Sequence, residues 1–172
     1  MTPHTAFDRR TLLASAAALV GGLGLASLLP TASAAPAPFP LTLADAEWKR
    51  RLPLAAYEVL RHEDTETAGT SPLLAEHRPG VFACRGCDLP VYASRTKFDS
   101  HTGWPSFWAA LPGHTGNKQD TSLFMTRTEE HCARCGGHLG HIFDDGPPPT
   151  GKRHCINGVA LVFHPAQGPH HA

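Results

Sequence analysis

The sequence predicts a mainly β, antiparallel body preceded by two short helices, and three observations carry that expectation. Glycine and proline each occur 16 times in the 172 residues, which favours turns and short strands over long helices. The runs VFAC, LPVYA, SLFMTRT, HIF and VALVF are rich in aromatic and β-branched residues and are bounded by Gly, Pro or Asp. Residues 35–172 are also numerous enough to bury a core without depending on disulfides.

The N-terminal segment reads as a targeting signal. Arg9 and Arg10 precede the apolar run TLLASAAALVGGLGLASLL, which is followed by Pro30 and the small-residue stretch TASAAPA. The paired arginines in FDRRTLL predict twin-arginine export to the periplasm, with Ala32-Ser33-Ala34 as the cleavage site, so residues 1–34 form the signal peptide. The alternative is an uncleaved membrane anchor, because the run from Leu12 to Leu29 just reaches the roughly 17 residues that span a bilayer.

Residues 35–41, APAPFPL, form a Pro-rich linker, and the folded domain is expected over 42–165. In TLADAEWKRRL, Thr42 is the expected N-cap with Asp45 in the first turn; in PLAAYEVLRHE, Pro53 suits the first position of a second helix. Asp64 to Gly80 shows no sustained period and reads as loop. The strand runs follow, and residues 166–172, ending in GPHHA, are expected to be a disordered tail. Fifteen basic residues balance fifteen acidic ones, which leaves no electrostatic footprint for nucleic acid or an anionic membrane.

Four of the five cysteines come in two Cys-x-x-Cys pairs, Cys84 with Cys87 in CRGC and Cys132 with Cys135 in CARCG. Two such tight turns can aim four sulfurs at one point, the spacing of a closed tetrahedral Zn²⁺ site, and Gly86 and Gly136 ease the backbone into them. Residues 88–131 are far more than a small zinc ribbon carries, so the metal would clamp two hairpins at one end of the body. Two disulfides or a redox dithiol are the competing readings. Four protein ligands leave no open position, which makes such a zinc structural.

The fifth cysteine, Cys155 in GKRHCINGVALVF, stands alone. On a strand, Arg153, Cys155 and Asn157 share one face and His154 takes the other. The arginine would then favour the thiolate, the nucleophilic form, although a buried, inert cysteine is the ordinary alternative. His138 and His141 in GGHLGHIF reach one site only if Leu139-Gly140 bends the strand, as a glycine at a bulge can. Together with the thiol and the arginine they form a constellation of nucleophile and proton donors. In FDSHTGWPSFW, Trp104 and Phe107 are the candidate pocket aromatics: a rigid indole can hold an S-methyl, whereas such clusters more often belong to the core.

These segments, KFDSHTGWPSFW, the paired CxxC and RCGGHLGHIFDDGPPPTGKRHCIN, resemble methionine sulfoxide reductase B from about Asp45 to Phe163. The resemblance implies two antiparallel sheets, one structural zinc per chain and reduction of methionine-(R)-sulfoxide, free or in proteins. It implies Cys155 as nucleophile, His138, His141 and Asn157 binding and protonating the sulfoxide oxygen, Arg153 supporting the thiolate, and Trp104 caging the methyl. Where many relatives carry a resolving cysteine this chain has Thr102, so the sulfenic acid is expected to meet an external thiol, thioredoxin-like or small. His101, His154, Gly158 and the segment from Ala68 to Ala75 also depart from the usual pattern, and His154, on the face away from Cys155, is expected to serve packing. A monomer is expected. The rival readings are a zinc-knuckle binding module with a buried Cys155, which the charge balance and export signal disfavour, and a zinc hydrolase using both histidines, which leaves four cysteines without purpose.

Overall fold

The computed structural model describes residues 39–122 and 125–167. The expected signal peptide (1–34), most of the linker (35–38) and most of the tail (168–172) lie outside the described residues. Among the described residues no helix is long and apolar enough to cross a membrane.

Helix α1 spans Asp45–Arg51 and α2 spans Leu54–His62. Acidic Asp45 and Glu47 open α1, and Lys49, Arg50 and Arg51 close it, each sign set against the matching end of the helix dipole. The cap differs from the sequence expectation. Ala44 occupies the N-cap position without a side-chain bond, while the Thr42 hydroxyl donates to the Phe39 carbonyl one turn earlier. Pro53 is likewise the N-cap of α2, its carbonyl accepting from the Tyr57 amide at 2.9 Å. Ala56, Tyr57, Val59 and Leu60 form the buried stripe of α2, at the three- and four-residue spacing of one helix face.

The strands are β1 (Gly80–Cys84), β2 (Pro90–Ala93), β3 (Lys97–Phe98), β4 (Ser106–Phe107), β5 (Thr115–Asp120), β6 (Arg127–Cys132), β7 (His138–Phe143), β8 (Arg153–Ile156) and β9 (Leu161–Pro165). They build a three-stranded sheet in the order β2-β1-β9 and a six-stranded sheet in the order β3-β4-β8-β7-β6-β5, with antiparallel pairing throughout. The expected pair of antiparallel sheets is therefore present. Two local expectations need correcting, and one strand has no counterpart among the expected runs. TGNKQD forms edge strand β5 despite its polarity, because β6 supplies its hydrogen bonds and its other edge needs no apolar cover. Among the described residues of SLFMTRT only Arg127 and Thr128 are in a strand, β6. The loop from Asp64 to Gly80 contains a short 3₁₀ turn at Pro72–Ala75, started by Ser71, whose hydroxyl accepts from the Leu73 amide.

The core lies between the sheets. Phe107 of the large sheet stacks on Tyr92 of the small one, centroids 4.3 Å apart, and meets Phe82 edge-on at 5.0 Å. All three are fully buried, with Leu139, Ile156 and Leu161 around them.

Two backbone features of β7 place the site. Glu130 pairs with Gly140 and His131 with His138, so Leu139 is an extra residue, a bulge that brings His138 and His141 to the same side. At Gly140 the pairing with β8 is so close that a Cβ would overlap the Cys155 carbonyl oxygen. The register then sets Ser106, Cys155, His141 and Glu129 side by side across β4, β8, β7 and β6. A Gly140→Ala substitution is expected to force β7 and β8 apart and to lower unfolding free energy by about 1–3 kcal/mol in urea titration, the range for overpacking; unchanged stability would contradict this packing.

Candidate active site

The two Cys-x-x-Cys turns meet where β1 and β6 end. Cys84 closes β1, Cys132 closes β6, and Cys87 and Cys135 follow in the next turns. The Cys84 carbonyl accepts from the Cys87 and Asp88 amides, and the Cys132 carbonyl from the Gly136 amide, which curls each turn around its sulfurs. Arg134 ties the two turns together by donating to the Cys87 carbonyl at 2.9 Å. All four sulfurs lie within 4.8 Å of one another, with Cys87 to Cys132 at 3.4 Å and Cys84 to Cys135 at 3.7 Å. All four are free thiols, not the two disulfides that were the competing reading. The cluster can hold a metal ion: a tetrahedron of sulfurs about 2.3 Å from zinc has edges of roughly 3.8 Å.

Cys155 lies elsewhere, half-buried in a cavity of about 130 Å³ that is also lined by Thr65, Trp104, Gly140, His141 and Asn157. Trp104 is fixed by its indole N–H, which donates to the Glu66 carbonyl at 3.0 Å. Asn157, just past β8, is held twice: its Oδ1 accepts from the Glu66 amide and its Nδ2 donates to the Leu139 carbonyl. One amide hydrogen of Nδ2 remains for a ligand. Glu66 is itself buried, and its carboxylate accepts from the Gly158 and Val159 amides, so one residue holds the Trp104 indole through its carbonyl and the turn that follows Asn157 through its carboxylate.

The two histidines are brought together, their rings 5.4 Å apart, but only His141 lines the Cys155 cavity. His138 is fully buried behind it and lines the adjoining cavity of about 370 Å³. Each ring is anchored by a carboxylate. His138 Nδ1 donates to Glu129 at 2.8 Å, which leaves its Nε2 without a partner, and His141 Nε2 donates to Asp120 at 2.8 Å. Hydrogen bonds from Ser122 and then from His141 hold Asp120 far below the usual carboxylate range. Burial pushes His141 below an ordinary imidazole, with Asp120 pulling the other way and Arg127 reinforcing the shift.

Two sequence expectations are corrected here. Phe107 does not line the cavity; it neighbours His154 in the register row facing the core, where Tyr92 stacks on it. Arg153 does not hold the resting thiol ionised. Burial raises Cys155 above an ordinary thiol, and the opposing pull of Arg153 is weaker. The reason is a partner the sequence did not announce: the Arg153 guanidinium is bidentate with Asp145, both contacts at 2.8 Å, and covers the Phe143 ring. His154 turns inward, as its strand position requires, and bonds buried Glu130 at 2.8 Å.

Sequence reasoning missed Glu66, Asp120, Arg127, Glu129 and Asp145. Arg127 lines the Cys155 cavity and bonds Asp120 at 2.7 Å. Alternation in RTEEHC was the one available signal, since it sets Arg127 and Glu129 on one face of a strand.

Known proteins bear on this arrangement directly. The SelR domain profile matches residues 52–165. A peptide methionine sulfoxide reductase MsrB of Agrobacterium fabrum is 47% identical over 122 residues, 70% of this chain and 90% of that one. One from Thiobacillus denitrificans is 48% identical over 70% and 92%, and one from Pseudomonas putida is 49% identical over 71% and 92%. The match takes in both cysteine turns, both histidines and Cys155, and so the chain belongs to the SelR-domain family of MsrB peptide methionine sulfoxide reductases.

Proposed function

We infer that this chain is a peptide-methionine (R)-S-oxide reductase with Cys155 as its nucleophile. The observation that carries the reading is the convergence of Cys155, His141, Asn157 and Trp104 on one small cavity. At about 130 Å³ it suits a side-chain tip, whereas drug-sized ligands occupy roughly 300–1,000 Å³. Trp104 supplies an apolar wall for the S-methyl. His141 and the spare amide hydrogen of Asn157 face the place of the sulfoxide oxygen, and His138, fixed by Glu129, supports His141 from behind.

In the reaction the Cys155 sulfur attacks the sulfoxide sulfur and a proton passes to the oxygen. The substrate S–O bond breaks and a sulfur–oxygen bond forms on Cys155, giving methionine and a Cys155 sulfenic acid: the substrate sulfur is reduced and Cys155 oxidised. Because the resting thiol is raised and His141 lowered, the prevailing form is a neutral thiol beside a neutral imidazole. It contains the same number of protons as the thiolate–imidazolium pair that reacts, so the reactive pair arises by internal proton transfer.

With Thr102 in the place of a second thiol near Cys155, the sulfenic acid is resolved by an external thiol, thioredoxin-like or small. A first thiol displaces water to form a mixed disulfide, and a second releases Cys155. Cys84, Cys87, Cys132 and Cys135 would hold one zinc, which would clamp the ends of β1 and β6 and supply no redox chemistry; the all-sulfur donor set supports this metal. The twin-arginine pattern supports export to the periplasm; a chain with Arg9→Lys and Arg10→Lys that still reached the periplasm would refute the route.

With dithiothreitol as reductant, the protein is expected to turn over the R epimer of a methionine sulfoxide and leave the S epimer intact, and Cys155→Ser to abolish turnover. S-epimer reduction, or activity surviving the substitution, defeats the assignment. The profile of kcat/KM against pH should be a broad plateau. Its acid limb falls below the ordinary imidazole value of about 6.5, where His141 takes up an extra proton, and its alkaline limb lies above the ordinary thiol value of about 8.5, where Cys155 loses one; a narrow bell inside those values contradicts the assignment of the limbs. Metal analysis should give about one zinc per chain, and Cys84→Ser or Cys132→Ser should lose metal and fold together, as seen by circular dichroism; a folded, active, metal-free variant would refute the structural role.

A further inference from the structure

Beside Cys155 runs a chain of hydroxyl groups. Thr102 Oγ1 lies 3.9 Å from Cys155 Sγ, within reach of a sulfur hydrogen bond, and 2.8 Å from Ser100 Oγ. Ser100 Oγ is 2.7 Å from Ser106 Oγ, and the Ser106 hydroxyl donates to the Trp104 carbonyl at 3.2 Å. Ser106 is fully buried and directly opposite Cys155 in the β4–β8 register, so the far end of the chain is anchored in the sheet.

Each hydroxyl has one proton to give, and a carbonyl can only accept. Those two facts fix the polarity of the whole chain. Ser106 spends its proton on the Trp104 carbonyl, so the short contact with Ser100 must be a bond donated by Ser100. Ser100 then has none for Thr102, which must donate to Ser100. Thr102 is left with only a lone pair to turn toward Cys155. In the resting arrangement, therefore, the Cys155 thiol donates and Thr102 accepts.

Ionisation of Cys155 reverses the demand, because a thiolate only accepts. The chain can meet it by rotating every hydroxyl in turn: Ser106 leaves the Trp104 carbonyl for Ser100, Ser100 donates to Thr102, and Thr102 donates to the thiolate. No heavy atom has to move. The reversal gives up one bond at the carbonyl and gains a charge-assisted bond at sulfur.

We propose that Thr102, Ser100 and Ser106 form a reversible hydroxyl relay whose polarity, set by the Trp104 carbonyl, favours the Cys155 thiol at rest and inverts to hold the thiolate when the nucleophile is called on. These are positioning residues: Ser100 and Ser106 act through Thr102, and Thr102 acts on Cys155. The relay deepens the reductase reading, which supplies the need for a thiolate, but its behaviour can be read without turnover. Other charged groups also face Cys155: Arg153 on its own strand, Asp145 in the β7–β8 loop, His141 on β7 and Arg127 at the start of β6. All of them are retained in the variants below, so differences between variants report the hydroxyls.

The test is the pH dependence of Cys155 alkylation by iodoacetamide in the zinc-loaded protein, followed by mass spectrometry of the Cys155 peptide. Thr102→Val, nearly isosteric, removes the only relay donor to the thiolate and is expected to move the apparent pKa up by about half a unit to one unit. Ser106→Ala and Ser100→Ala have the opposite effect. Each releases Thr102 from donating away from Cys155, leaves its proton free for the sulfur, and is expected to move the apparent pKa down by a similar amount. Ser100 is only half-buried, so its variant reports even if Ser106→Ala unfolds. Shifts of opposite sign establish the relay. Shifts of the same sign in Thr102→Val and Ser100→Ala, or none, overturn it, because loosened packing would move both alike. R-epimer turnover measured on the same samples separates the two readings: opposite shifts in an inactive wild type would keep the relay and refute the reductase.

Discussion

The constraint on which the site depends is the close antiparallel pairing of β7 with β8. Gly140 has no side chain to hold the strands apart, and the bulge at Leu139 returns the two histidines to one side. Without the first, Cys155 would stand away from His141; without the second, His138 would point away from the ring it supports. The pairing also fixes which residues face inward. One register step from Cys155, His154 and Phe107 enter the core, where a period of two leaves no choice.

Around that frame the acidic groups do most of the positioning. Glu66 ties Trp104 to the turn after Asn157, Glu129 and Asp120 orient the two imidazoles, and Asp145 occupies Arg153. The consequence is electrostatic restraint rather than activation at rest. With the arginine committed elsewhere and the thiol half-buried, Cys155 stays protonated until a proton is exchanged within the site. Such a thiol is less exposed to adventitious oxidation than a standing thiolate, since reactivity follows the ionised fraction.

Much of this was legible in the sequence because it rests on local patterns. Two tight CxxC turns, a glycine between two histidines and an alternating RHCIN strand each carry their geometry in a few residues. What could not be read depends on contacts between distant segments. Glu66 lies in an unpatterned loop and meets Gly158 only after folding, and polar TGNKQD becomes a strand only because β6 pairs with it. Phe107 looked like a pocket aromatic because its neighbour Trp104 is one; the strand period, once β4 is known, separates the two. Arg153 was placed correctly beside the thiol, but its influence depended on Asp145, a partner that adjacency to Cys155 did not reveal.

On the proposed mechanism a single sulfur, Cys155, takes the oxygen while the four clustered cysteines stay out of the redox chemistry. A single-turnover experiment without reductant tests it most directly: zinc-loaded protein mixed with excess R-sulfoxide, methionine counted, and oxidised cysteine trapped with dimedone and mapped. The expected result is one methionine per chain, the adduct on Cys155 alone and zinc fully retained. Release of zinc with oxidation at Cys84, Cys87, Cys132 or Cys135, or an unmodified Cys155 after methionine has formed, would contradict it.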